Sequence, residues 1–175
     1  VPVYHEDVKV YEVKDADGRH MALFYADFFP RASKRGGAWM TDFRGQSIRD
    51  GVEYRPFIST VMNFTKPTAD APSLITHSEF TTFLHEFGHA LHGILAQGRY
   101  PSLTGTSVSR DFVELPSQIM ENWAYEPEYL NSFAKHYQTG ELSSIAIYFS
   151  LFSSSKKLRK LCFHISVSLI WFPIS

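Results

Sequence analysis

The chain has 175 residues, 44% hydrophobic and 20% charged, which are the proportions of a globular chain long enough to bury a core. Its 17 basic and 18 acidic residues leave a net charge of -1, so nothing in the balance points to a nucleic-acid or membrane surface. The single cysteine, Cys162, excludes an internal disulfide framework and a cysteine-rich zinc site.

Residues 8–14 read as a strand, Asp15-Ala16-Asp17-Gly18 as a turn and Met21 to Phe29 as the returning strand of a hairpin. Residues 31–45 read as a loop broken by Gly36-Gly37, with Trp39 and Phe43 as buried anchors. Arg55 to Phe64 is rich in β-formers and reads as another strand. A long helix follows. Thr76 is placed as its N-cap, with Glu79 completing a capping box. Phe80, Phe83, Leu84, Phe87, Leu91, Ile94 and Leu95 form its apolar face, and Gly98 is the expected stop. That is about 21 residues, or ~31 Å. A loop through Pro101 and Gly105 leads to a second helix from about Asp111 to Tyr125. Pro116 argues for a start nearer Val113, and Asp111 is a candidate cap. Pro127 ends that helix, and Glu128 to Gln138 reads as a short third one. From residue 142 the character changes to serines, a basic cluster at Lys156 to Lys160 and an apolar run too short and polar for a membrane span. The chain opens on Val1 with no signal-peptide pattern, and the natural N-terminus is expected upstream.

The long helix carries His85-Glu86-Phe87-Gly88-His89. Histidines at i and i+4 stand one above the other on one face, so both rings can reach one metal ion. Glu86 lies beside that face, where its carboxylate can take a proton from an attacking water. A catalytic zinc site needs a third protein ligand and an open position. Glu114, on the next helix, is the best candidate. Gln118 and Glu121 share its face, and either could bond a ligating histidine or serve in its place. His92, three residues beyond His89, reads as a packing histidine or a hydrogen-bond partner at the site. His77, at the helix start, reads as solvated or capping. Gly88 reads as a place where another part of the chain packs close.

Several segments together resemble the thimet oligopeptidase family of zinc metallopeptidases. They are Tyr25 to Arg31, Lys34 to Trp39, Asn63 to Leu74, His85 to His92 and Arg110 to Gln118. Arg99-Tyr100, Ser102 to Thr106 and Gln118-Ile119 with Trp123-Ala124 look most like the bacterial peptidyl-dipeptidases, with the oligopeptidase A branch next. The resemblance implies one Zn2+ per chain on His85, His89 and Glu114, with Glu86 as general base. It implies a mainly α fold with a small β-sheet (α+β), a catalytic-domain fragment of zincin (gluzincin) type. The strand at Arg55 to Phe64 would hold substrate backbone along its edge. The implied activity is hydrolysis of short peptides with release of C-terminal dipeptides, by a soluble, cytoplasmic monomer, or else a periplasmic or exported one. Residues 1–141 would be a partial catalytic domain and 142–175 an unmatched, frame-shifted or disordered tail. The glycine-rich His/Tyr segment that grips substrate in the family is not found in this sequence. The alternatives are therefore an inactive zinc-binding remnant or an oligopeptidase A-like endopeptidase.

Overall fold

The computed structural model describes residues 1–136, 138–141 and 172–173. The serine-rich stretch, the basic cluster, Cys162 and most of the apolar run lie outside the described residues. The expected hairpin is present: β1 (Lys9–Lys14) pairs antiparallel with β2 (His20–Asp27). Gly18, at φ +81°, supplies the left-handed turn between them. β6 (Phe57–Val61) runs parallel to β2, and β3 (Trp39–Arg44) pairs antiparallel with β6. Phe172–Pro173 (β7) adds to β1, giving the order β3-β6-β2-β1-β7. A separate hairpin joins β4 (Ser47–Arg49) to β5 (Val52–Tyr54).

Three expectations change here. Residues 31–45 are not all loop, because β3 occupies 39–44. Phe43 is not buried: it is 54% exposed and packs edge-on against Tyr25 at 5.3 Å. The strand from 55–64 is also not an edge, since β6 is paired on both sides. Among the described residues, β3 and β7 are the end strands of this sheet, and β3 is the one beside β6. The fold is α+β with a small mixed sheet, as expected.

The first helix, α1 (His77–Ile94), begins at the predicted capping box. The Thr76 hydroxyl accepts from the Glu79 N–H, and the Glu79 carboxylate accepts from the Thr76 N–H at 2.7 Å. α1 lies on one sheet face. Phe87, Ala90 and Ile94 pack there against Val13, Ala22, Phe24, Ala26 and Ile58. Gly93 lets the helix settle, because a Cβ at this position would stand 2.8 Å from Ile58 Cδ1. The helix stops at Ile94, four residues before Gly98. The stop is made by Arg55, whose guanidinium donates to the carbonyls of Ile94 (2.6 Å), Ala96 (3.0 Å) and Met21 (2.8 Å). A cation there satisfies orphan carbonyls and complements the helix dipole. Gly98 instead donates its N–H to the buried Gln46 side chain at 2.8 Å.

α2 (Arg110–Glu121) starts at Arg110 rather than near Val113, which leaves Pro116 inside it, and Ser109, not Asp111, occupies the N-cap. The carbonyl that Pro116 leaves without an intrahelical partner belongs to Phe112, which is 48% exposed, so solvent can satisfy it. A 3-10 turn (Asn122–Tyr125) continues the helix, and α3 (Pro127–Phe133) ends well before Gln138. Phe80 and Leu84 of α1 pack with Ala124 and Leu130 in a second, smaller core. Among the described residues, no helix is long and apolar enough to cross a membrane.

At the end of β2, Asp27 is 1% exposed. It accepts from both terminal nitrogens of Arg31 (2.7 and 2.9 Å), from Lys34 Nζ (3.0 Å) and from Tyr4 Oη (2.9 Å). Lys34 Nζ also donates to the carbonyls of Asp27, Phe29 and Met62, which ties the β2–β3 connection to the end of β6. Burial raises the Asp27 carboxyl, but the bonds from Arg31, Lys34 and Tyr4 outweigh it and hold the pKa at about 2. A carboxyl depressed in this way stabilises the fold fully above its ordinary pKa of 3.8, and the contribution fades as pH falls towards 2. Urea unfolding between pH 4 and pH 2 should therefore show a loss of about 2 kcal/mol that is missing from Asp27→Asn. That variant should be destabilised at neutral pH by about 3 kcal/mol, because two cations lose their counter-charge. Equal pH dependence in parent and variant would remove Asp27 as the source.

Candidate metal centre

The site lies where α1 and α2 cross. His85 and His89 project from one face of α1, with ring centroids 4.9 Å apart and planes at 85°. α2 brings Glu114 over them. Its Oε2 lies 3.3 Å from His85 Nε2 and 3.3 Å from His89 Nε2. The three residues each offer a ligand atom, and these atoms lie within 4.8 Å of one another. Two imidazole nitrogens and one carboxylate oxygen converging on a point fit a zinc-like divalent ion. The Glu114 side chain is 47% exposed, so the cluster has an open side.

The close crossing depends on Gly88. A Cβ there would stand 2.6 Å from the Pro116 carbonyl oxygen and 2.6 Å from Ser117 Cα. The backbones can touch only because that atom is missing, as the sequence reading anticipated for Gly88.

The histidine orientation is fixed from behind. His85 Nδ1 donates to Glu121 Oε1 at 2.6 Å, which places the proton on Nδ1 and leaves the Nε2 lone pair towards Glu114. Of the two candidates for that bond, Glu121 therefore makes it. Gln118 is exposed, and its carbonyl accepts from Asn122. His92 does not join the cluster. Its ring packs edge-on to Phe112 at 6.0 Å, and burial, then the nearby His89, lower its pKa. His77 is part-exposed at the start of α1: its Nε2 bonds the Ala124 carbonyl at 2.8 Å, and its ring meets Tyr125.

Glu86 lies on the sheet side of the histidines and is 9% exposed. Burial pushes its carboxyl above the usual range. His85, His89 and the backbone N–H of Met40 on β3 pull it part of the way back. Glu114 goes the other way, held low first by its hydrogen bond from Ser117. Sequence reasoning missed both Ser117 and Met40. Ser117 was visible as a hydroxyl at i+3 from Glu114, on the same helix face. Met40 carried no signal, because it contributes a backbone group from a strand read as loop. A hollow of about 340 Å³ adjoins His85, lined by His77, Ser78, Thr81, Thr82, Glu121 and Tyr125.

The family model described as Peptidase family M3 matches residues 1–168. The Dipeptidyl carboxypeptidase of Salmonella typhimurium is 51% identical over 141 residues, covering 81% of this chain and 20% of that protein. The Oligopeptidase A of Escherichia coli is 45% identical over 143 residues, covering 81% and 21%. The Organellar oligopeptidase A of Arabidopsis thaliana is 43% identical over 159 residues, covering 87% and 20%. The chain thus spans about a fifth of the length of the curated relatives it matches.

The crossing makes a stability prediction independent of any metal. Gly88→Ala should force α2 away from α1 and cost about 1–3 kcal/mol, read as a lower urea midpoint. An unchanged midpoint would mean that the backbones do not meet at this position.

Proposed function

This chain belongs to peptidase family M3, and on that premise we propose that it forms the metal-binding part of a zincin-type zinc peptidase that hydrolyses short peptides. The carrying observation is the convergence of His85, His89 and Glu114 beside a buried carboxylate, Glu86. His85 and His89 would hold the ion through Nε2, and Glu114 through a carboxylate oxygen. When bound, zinc supplies Lewis-acid polarisation of a carbonyl and a more acidic water.

The remaining chemistry belongs to the chain. Glu86 takes the proton of the attacking water and returns it to the leaving amine as the C–N bond breaks. Its raised pKa makes it a better proton acceptor than an ordinary surface carboxylate. Glu121 holds His85 in the ligating tautomer. The free edge of β3, whose Met40 N–H faces Glu86, can carry an extended peptide by main-chain hydrogen bonds. The edge-strand role expected of residues 55–64 therefore passes to β3. The hollow beside His85 is open to a neighbouring residue of that peptide.

For the cleavage pattern we favour release of C-terminal dipeptides. The support is the 51% and 50% identity to proteins named Dipeptidyl carboxypeptidase, against 45% for an Oligopeptidase A. Product analysis on a peptide with a free C-terminus should show dipeptides removed in sequence. Internal fragments alone would favour the endopeptidase reading.

Zinc analysis and a quenched-peptide assay test the chemistry. The parent should bind one zinc and cleave, and a chelator should stop it. Glu86→Gln should keep the zinc and lose about 10²–10⁴-fold in rate. Glu114→Ala should lose the zinc. Cleavage that survives a chelator sinks the metal reading, and zinc binding without cleavage replaces it by a metal-binding chain lacking turnover.

A further inference from the structure

We propose that Ser117 is a positioning residue that holds the Glu114 carboxylate in place as a metal ligand. The inference rests on the zinc reading above. Glu114 projects from α2 with its side chain 47% exposed. A glutamate that open to solvent has several rotamers, and fixing a long side chain costs up to about 1.5–2 kcal/mol in lost freedom. Something must select the rotamer that faces His85 and His89. Ser117 is 0% exposed, and its Oγ lies 2.8 Å from Glu114 Oε2, the oxygen that also stands 3.3 Å from both Nε2 atoms.

Ser117 is itself immobilised. Its Cα lies against Gly88, where even a Cβ would come within 2.6 Å. The same Oγ lies 2.9 Å from the Glu114 carbonyl. A serine on a helix often donates to such a carbonyl with no wider role. The hydroxyl has one proton for two acceptors, and the ionised carboxylate makes the stronger bond. Ser117 thus joins the tightest point of the α1–α2 crossing to the third ligand, and Glu114 meets the metal already oriented.

The test compares the full-length parent, Ser117→Ala and Glu114→Ala. Zinc affinity is measured by chelator competition, and the ligand field by the absorption spectrum of the cobalt-substituted protein. Ser117→Ala should keep the parent's far-ultraviolet circular dichroism and bind zinc about 10–100-fold more weakly. Its cobalt spectrum should move towards that of Glu114→Ala. Parent-like affinity and spectrum in Ser117→Ala overturn the proposal and leave the zinc reading standing. Loss of the helical signal also overturns it, because the hydroxyl would then be a fold residue. A parent that binds no zinc removes both.

Discussion

The contact between the Gly88 backbone and the Pro116–Ser117 peptide sets the rest of the site. Helices with ordinary side chains between them lie about 8–10 Å apart. Here an added Cβ would fall 2.6 Å from backbone atoms of the other helix, so α2 lies closer than any residue with a side chain would allow. Glu114 reaches both imidazoles because of that approach. Ligand distances in a metal site tolerate only about 0.2 Å. A displacement of one methyl radius would take the carboxylate out of the site while leaving both helices intact.

So narrow a tolerance needs a fixed support, and α1 is held at both ends and along its length. Thr76 and Glu79 close the N-terminus reciprocally. Arg55 closes the C-terminus and in the same fork bonds Met21 on β2, so helix and sheet share one cation. Between them, Gly93 rests on Ile58, and Phe87 packs edge-on to Phe24 at 5.7 Å. Lys34 and Asp27 fasten the far end of the sheet, where β2, β6 and the approach to β3 come together. All four site side chains sit on helices rather than loops, which favours precise placement.

This also explains which parts were legible in the sequence. The capping box, the apolar stripe of α1, the β1–β2 hairpin and the histidine pair are encoded within a few residues of each other, and each was found where expected, except that Leu95 at the end of the stripe lies just past the helix and is 45% exposed. β3 was not legible. Gly36-Gly37 and Gly45 bracket it, and its order comes from β6, which is distant in sequence. The start of α2 was misread because Pro116 disfavours a helix interior locally, while its contact with Gly88 is tertiary. Gly98 looked like a helix stop because the true stop, Arg55, lies 39 residues away from Ile94. Glu121 and Gln118 could not be ranked from spacing, because both share a face with Glu114 and only packing brings one to His85.

The two carboxylates nearest the histidines show how one crossing creates two electrostatic environments. Glu86 lies on the sheet side of α1, and burial drives its carboxyl towards the protonated form. Glu114 lies on the open side and is held towards the anion, first by Ser117. The histidines act on both in the same direction, so they do not cause the separation. It comes from one residue facing the sheet and the other facing a hydroxyl donor at the solvent boundary. In the roles proposed for them, Glu114 as a ligand would have to stay ionised, and Glu86 as a general base would have to accept a proton and release it again. Exchanging the two environments would leave the same side chains without either property. The contrast between the two carboxylates therefore belongs to the packing of α1 between sheet and α2, and not to the motif alone.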